Sequence, residues 1–474
     1  MYRQIIVHQD AQDLQLILWR ESQNEPVQVF RLSTLTYGLT CAPFLALRTV
    51  QQLGLDEGDR FPLAAEVIKN GIYVDDVLSG ADNLEDAIEL QNYLRGLFMA
   101  GGLPLKKWNS NSHELMQRIS ERLHALSTDI LWQSETSVSM LGLTWKPSTD
   151  CLIFQVDLRP IKDVITKRLI VSQSAQLFDP LGWLAPVIIV AKIFIQELWK
   201  LNLSWDNPLP EGARHRWIKY YEDLPRLSAV RIPRWIGFRS RMCSFELHGF
   251  ADASEKAYGA VVYLKTISPN GNCFIGLISS KTKVAPVQTV PLPRLELCSS
   301  VLLARLVAHL QTQLRFDAAL HLWSDSMNTL HSISAVPTRW MTYVANRVSE
   351  IQTIVPSAIW HHVPGADNPA DCAFRGLSAC ELSQFSLWWN GPPWLKRQEE
   401  WPSSLLGPPE NTVAKEERRV TVNVAVRVNE LCDLLICYSS LDKLRRVTAW
   451  CLRFRDALKC RSIIVSRILV ALDL

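Results

Sequence analysis

The sequence predicts an α+β chain of several domains. Three observations carry that expectation. The chain has 474 residues, several times the size of one ordinary domain. Its 48% hydrophobic and 20% charged residues are the balance of packed globular units. Strand-like and helix-like patterning also alternates in blocks along the chain.

In the first block, β-rich pieces at 14–19, 27–32, 71–78 and 140–145 are mixed with helical stretches at 42–53 and 83–100. Residues 156 to about 240 read as mainly helical. From Ser244 the order becomes three strands (246–250, 259–265, 273–281), a helix over 294–314, a strand at 320–324, helical stretches to about 354, a strand at 358–363 and a helix after Asn368. Ser268-Pro-Asn-Gly271 supplies the turn between the second and third of these strands. A stretch over 401–419 with PSS, GPP and KEERR reads as linker, and a basic helical tail follows over 428–458. The domain expectation is therefore 1–155, 156–243, 244–395, a linker over 396–427 and a helical segment over 428–474.

Several classes drop out. Fifty Lys and Arg against 47 Asp and Glu leave a net charge of +3, so whole-molecule charge announces no polyanion partner and any nucleic-acid surface is local. The 11 Cys contain no C-x-x-C pair, which predicts reduced thiols in an intracellular protein and neither disulfides nor a zinc site. The N-terminus shows no apolar run behind a basic segment, and the apolar stretch 181–199 is interrupted by Pro186, Lys192, Gln196 and Glu197, so neither a secretory signal nor a membrane span is expected. An aspartic peptidase needs D-T-G or D-S-G, and neither string occurs.

Two sets of acids stand out. Asp75 and Asp76 lie between apolar β-favouring flanks in Ile72-Tyr-Val-Asp-Asp-Val-Leu78, where adjacent carboxylates repel unless a cation such as Mg²⁺ sits between them. Taken alone, the pair is more often a solvated turn. The second set is Asp252 inside an apolar strand, Glu296 near a helix start, Asp325 at a strand end and Asp371 at another helix start. A buried strand carboxylate needs a ligand or partner, and a strand-end acid points into a crevice, whereas Asp371 also fits plain helix capping.

Both sets lie in segments that resemble the Pol polyprotein of Bel/Pao-type LTR retrotransposons, a region also labelled a Pao retrotransposon peptidase family. Tyr73-Val-Asp-Asp76 resembles the active-site hairpin of a reverse transcriptase palm of the right-hand type. Gly38 and Pro43 fall in the template and primer helix motif of Thr36 to Pro43, and Leu105 to Asn111, with Lys107, is similar to the strand that follows. The family pattern D-I-E-K-M-Y-R-Q-I puts the first catalytic Asp four positions before Met1 and makes Tyr2 the residue that closes the sugar pocket. On that register the palm is partial and this chain as written is not a competent polymerase. Phe178 to Pro186 resembles the family's segment joining polymerase to nuclease, which makes residues 156–243 thumb and connection.

The order Asp252, Glu296, Asp325, Asp371 on its β-β-β-α-β-α-β-α frame resembles ribonuclease H, an α/β domain with a mixed five-stranded sheet. The resemblance implies that these four acids hold two Mg²⁺ ions, with Mn²⁺ as a substitute, and cut the RNA strand of an RNA/DNA hybrid. His361 and His362 in Trp360-His-His-Val-Pro-Gly365 either assist proton transfer or product release or are structural. Asp371-Cys-Ala-Phe-Arg-Gly376 stands where the family has D-L-A-S-R-G, a departure beside the fourth ligand. An integrase orders its acids Asp, Asp, Glu, which this set does not follow.

Residues 205–241 carry a local net charge of +4 interleaved with Trp205, Trp217 and Trp235, which fits either a phosphate-tracking surface or a solvated basic face. The tail from Ser439 to Arg446 is similar to the spacer before the family's integrase, whose zinc ligands do not follow. The resemblance further implies other Pol or Gag products as partners, no membrane, and a place in cytoplasmic particles or the nucleus. The competing expectation is a non-catalytic nucleic-acid-binding remnant of a decayed element.

Overall fold

The computed structural model describes residues 1–74, 76–124, 137–140, 143–161, 164–237, 243–314, 316–402, 416–418 and 440–459. They fall into two units, residues 1–418 and 419–474. The described part of the second is one helix, Leu441–Lys459.

The first unit begins with a short helix α1 (Gln9–Gln12) and a hairpin of β1 (Leu16–Trp19) and β2 (Gln28–Arg31), whose residues are all exposed. Three helices then pack together: α2 (Ala42–Asp56), α3 (Pro62–Asn70) and α4 (Leu84–Ala100). Each start has a local cause. Pro43 and Pro62 occupy first-turn positions, where a missing N–H costs nothing, and the Asn83 side chain accepts from the Asp86 amide. Val50, Ala64, Ile68, Leu94, Leu97 and Phe98 form their shared core. Ile72 and Val77, in the two-residue strands β3 (Ile72–Tyr73) and β4 (Asp76–Val77), pack against its edge. Residues 105–111, expected as a strand, are irregular: Lys107 has φ 57°, which breaks an extended run.

After α5 (His113–His124), a four-stranded antiparallel sheet runs in the order β5 (Val138–Met140), β6 (Leu143–Lys146), β7 (Cys151–Ile153) and β8 (Ile232–Pro233). The last of these pairs follows the helical stretch, α6 (Lys167–Ser174), α7 (Ala185–Lys200) and α8 (Glu211–Asp223), so the chain returns to pair with what preceded it. Among the described residues no helix is long and apolar enough to cross a membrane. The apolar stretch over 181–199 becomes α7 and buries Val187, Ile189, Phe194 and Leu198.

The five-stranded sheet is mixed, in the order β11-β10-β9-β12-β13. Strands β9 (Ser244–Ala253), β10 (Ala257–Ile267) and β11 (Cys273–Val284) form an antiparallel meander. Strands β12 (Ala319–Ser324) and β13 (Ile359–His362) join parallel to β9 and to each other. Period-two alternation along β9 explains how both faces are used. Phe245, Leu247 and Ala251 meet α9 (Leu292–Gln313) and α11 (Thr342–Ile354), with α10 (Met327–Ser334) between them in the chain. Phe250 enters the other core, which holds Trp183, Val187 and Trp217 from the helical stretch and Trp388 and Leu395 from the chain's later part. That later part contains α12 (Ala370–Arg375), α13 (Ala379–Gln384) and α14 (Ser386–Asn390). One hydrophobic core thus draws residues from Leu143 to Leu395, on both sides of residue 243.

The loop before α7 secures the outer strand. Asp179 accepts from the Trp183 and Leu184 amides at 2.8 and 2.7 Å, and burial pushes its carboxyl up to about 6. The loop then presents carbonyls to β11: Leu181 accepts from the Ser280 amide and the Ser279 hydroxyl at 2.8 Å each, and Gly182 accepts from the Ser280 hydroxyl. Gly182 has φ 78°, and a side chain there would collide with the Ser280 carbonyl, so only glycine allows this approach. The edge of the sheet is covered by this contact.

Candidate carboxylate site

The sheet register builds the centre of the site. Ser324 at the end of β12 aligns with Ala251 on β9, so the next residues, Asp325 and Asp252, are carried forward side by side. Their carboxyl groups are in hydrogen-bonding contact. Asp252 is 6% exposed, and burial first, then the Asp325 charge, pushes its carboxyl up to about 8. Asp371 and Glu296 push in the same direction. Asp325 is also raised, by burial and by Asp371. Two adjacent buried carboxyls share protons because they cannot both ionise at low cost.

The other two acids arrive from opposite layers. Glu296 lies on α9, and its Oε2 accepts from the Ser326 hydroxyl at 2.6 Å. Ser326 also caps α10 by accepting from the Thr329 amide, so one hydroxyl ties Glu296 to the turn that carries Asp325. Asp371 lies in the first turn of α12, where its Oδ1 meets Arg375 Nε at 2.5 Å, and burial raises its carboxyl against that pull. All four acids of the ribonuclease H-like set therefore share one electrostatic neighbourhood. Among the described residues, no group of three or more His, Cys, Asp or Glu side chains is already gathered closely enough to hold a metal ion. Hard oxygen donors that raise one another's proton affinity are nonetheless the donor chemistry that Mg²⁺ or Mn²⁺ takes.

The two histidines separate. The charge of His362 is felt at Asp325, where it lowers the carboxyl. His361 turns into a buried aromatic cluster: its Nε2 lies 3.1 Å from His321 Nδ1, and its ring stacks on Trp323. Burial and the neighbouring His321 and His248 push His361 down to about 4. In the same cluster His248 is fully buried, bonded to Glu246 at 2.9 Å and lowered to about 4 by burial. Glu246 also pairs with Lys265 at 3.0 Å, and Trp401 packs against His248, His321 and Trp323. The stretch expected as linker thus begins packed. It ends so too, with Glu416 holding Arg294 through two bonds and Trp340 bridged to Glu417.

The described residues of the palm-like set are largely exposed. Tyr73 pairs with Asp76 in a hairpin whose turn puts Val74 at φ 54°, and both side chains are exposed. Asp75 lies outside the described residues. Gly38 has φ 94° in the turn before α2, Pro43 is exposed in its first turn, and Lys107 is exposed. Tyr2 packs against a small cluster of Leu35, Ala42 and Ala46.

Among the described residues of the basic stretch over 205–241, four of the cations are paired, while Arg239 and Arg241 lie outside the described residues. Arg168 grips Asp206 at 2.8 and 2.9 Å, Arg216 meets Glu197, Arg226 meets Asp223, and Arg234 grips Asp150 at 2.6 and 2.9 Å. Trp217 is a core residue bonded to Gln173, whereas Trp205 is exposed beside Lys167 and Arg168.

Sequence reasoning passed over Ser326, Arg375 and the role of Asn368. The first two had a local signal, a hydroxyl next to Asp325 and a cation one helical turn after Asp371. The departures at Cys372 and Phe374 are packing residues. Phe374 is 3% exposed against Ile189 and Ala257, and Cys372 is 5% exposed with its Sγ 3.0 Å from the Pro369 carbonyl.

No curated protein matches this chain. Solved structures with some similarity include RNase H1 from the halophilic archaeon Halobacterium salinarum, at 15% identity over 27% of this chain and 90% of that one, with a TM-score of 0.19. Another is LC11-RNase H1 in complex with an RNA/DNA hybrid, at 13% identity over 27% of this chain and 91% of that one, with a TM-score of 0.21. A family model described as the Pao retrotransposon-like RNaseH-like domain matches residues 166–326, a span that takes in Asp252, Glu296 and Asp325 and ends before Asp371. The chain is an α+β protein that carries, with its mixed five-stranded sheet, an RNase H-like domain of the Pao retrotransposon type.

Proposed function

We propose that this chain is a retrotransposon Pol fragment whose RNase H-like domain cleaves the RNA strand of RNA/DNA hybrids with Mg²⁺. The observation that carries the reading is the convergence of Asp252, Glu296, Asp325 and Asp371, with Asp252 raised first by burial and then by the charges of the other three. Outside a nuclease or a metal site, four acids sharing one neighbourhood at the end of a sheet would only destabilise it. When bound, Mg²⁺ supplies Lewis acidity for activating water and stabilising the leaving oxygen.

The chain's own residues prepare for that. Asp252 and Asp325 give up the protons they share. Glu296 is held by the Ser326 hydroxyl in the direction of the turn carrying Asp325. Asp371, paired with Arg375 in this structure, would complete the oxygen donors for the cation, and the charge of His362 acts on Asp325. The palm-like residues over 1–155 enter the proposal as a nucleic-acid-binding region of the same fragment, with Tyr73 and Asp76 exposed on its surface.

The test is Mg²⁺-dependent cleavage of a labelled RNA/DNA hybrid by the full chain, with Asp325→Asn alongside. Cleavage lost in the variant supports the reading. A folded chain that binds the hybrid and leaves it intact favours a non-catalytic remnant instead, a reading with its own support in the Asp371–Arg375 ion pair and the Cys372 and Phe374 departures.

A further inference from the structure

Asn368 is 1% exposed and spans two carboxylate-bearing elements with one side chain. Its Nδ2 donates to the Ala251 carbonyl at 3.3 Å, and its Oδ1 accepts from the Ala370 amide at 3.1 Å. Ala251 directly precedes Asp252, and Ala370 directly precedes Asp371. The backbone of Asn368 adds a third tie, its carbonyl accepting from the Asp371 amide at 3.1 Å. Ala251 is also the residue where pairing with β12 ends, at Ser324. The carboxamide thus takes over beside the strand just where the sheet neighbour stops.

We propose that Asn368 is a positioning residue that sets the separation of the Asp252 and Asp371 carboxylates and so tunes the affinity of the site for divalent cations. This rests on the reading of the four acids as a cation site. The residue type is demanding: the position needs a donor toward a strand carbonyl and an acceptor toward a helix amide within one short side chain, which a carboxamide provides. An acid would set an acceptor against the Ala251 carbonyl. An apolar residue would leave both buried backbone groups without this partner. Because α12 lies close on the sheet, with Ala373 against Gly259 of β10, a slight tilt of α12 is enough to move Asp371 relative to Asp252.

Mn²⁺ binding to the full chain, followed by the electron paramagnetic resonance of free Mn²⁺, tests this without relying on catalysis. Asn368→Leu keeps the volume, and Asn368→Ala serves as the second variant. Both are expected to weaken Mn²⁺ binding about tenfold, the usual cost of losing a residue that orients metal ligands. The Mg²⁺ concentration for half-maximal hybrid cleavage should rise in parallel, with hybrid affinity in the absence of cation unchanged. Leu382→Ala, a core change in α13 away from the acids, should lower the melting temperature and leave Mn²⁺ affinity as in the wild type.

Wild-type Mn²⁺ affinity in folded Asn368 variants overturns the positioning role. Equal weakening in Leu382→Ala overturns it as well, since general loosening would then account for the effect. A wild-type chain that binds Mn²⁺ in an Asn368-dependent way but cuts nothing keeps this inference and removes the nuclease reading. A wild type that binds no Mn²⁺ removes both.

Discussion

The described acids of the two sets in this chain sit in opposite settings. Asp252 is almost fully buried at the end of a strand with neighbours on both sides, whereas Asp76 is exposed in a strand of two residues. Around Asp252 the protein has placed the end of β12, a helix from each face, the Ser326 hydroxyl that orients Glu296 and the Asn368 bridge to α12. Around Tyr73 and Asp76 it has placed a shallow hairpin resting on Ile72 and Val77. A carboxylate becomes informative when its desolvation has to be compensated, and among the described residues Asp252 meets that condition while Asp76 does not.

The largest expected effect divides the sets directly. Asp325→Asn should lower hybrid cleavage by about a thousandfold or more, since an amide neither binds the cation as a carboxylate does nor shares the Asp252 proton. Steady-state cleavage with matched folding by circular dichroism reads it. Residual activity near wild type would erase the contrast.

The next tests the scaffold beneath the buried set. Gly182→Ala forces a side chain into the Ser280 carbonyl at φ 78° and should destabilise the first unit by about 3 kcal/mol. Urea unfolding would measure this. A loss under about 0.5 kcal/mol would mean that the loop over 179–184 lies on the sheet without securing it.

Acid should expose the buried histidines. His248 is lowered to about 4 in the folded chain, so the unfolded chain binds more protons between that value and the ordinary 6.5, and stability falls as pH drops through this window. The loss is on the order of 3 kcal/mol for His248 alone. His361 adds in the same direction, and Glu246, lowered to about 2, extends the loss below 4.5. Unfolding free energies at pH 7, 5.5 and 4.5 check the slope. His248→Gln should flatten it, and an unchanged slope would place the acid sensitivity elsewhere.

The smallest effect belongs to the exposed set. Asp76→Asn should leave hybrid cleavage within about twofold and stability within about 0.5 kcal/mol of wild type, as a solvated surface substitution does. A loss of cleavage there would join the two regions into one functional surface.

The ribonuclease H-like frame was legible because its strands are long, apolar and separated by clear turns. The expected strand at 259–265 lies inside β10, and the expected helix over 294–314 nearly coincides with α9. Its four acids were picked out by the resemblance of their order on that frame to ribonuclease H. The strand expected over 105–111 was not formed, because Lys107 adopts a positive φ that no apolar pattern announces. The pairing of β7 with β8 in the smaller sheet was equally silent, since Cys151–Ile153 meets Ile232–Pro233 across a long excursion of chain.

What the amino-acid sequence determined by itself was local: where period-two and helical patterns lie, which residue types carry chemistry, and that acids interrupt apolar runs. Tertiary structure decided the rest. It made the helices over 167–223 one wall of the same core as the sheet, sent His361 into an aromatic cluster while the charge of His362 acts on Asp325, and gave Asn368 its two partners. The physical reason is that burial and shared protons are properties of neighbours far apart in the chain. Pattern reveals which face a residue takes, and packing alone reveals whom it meets there.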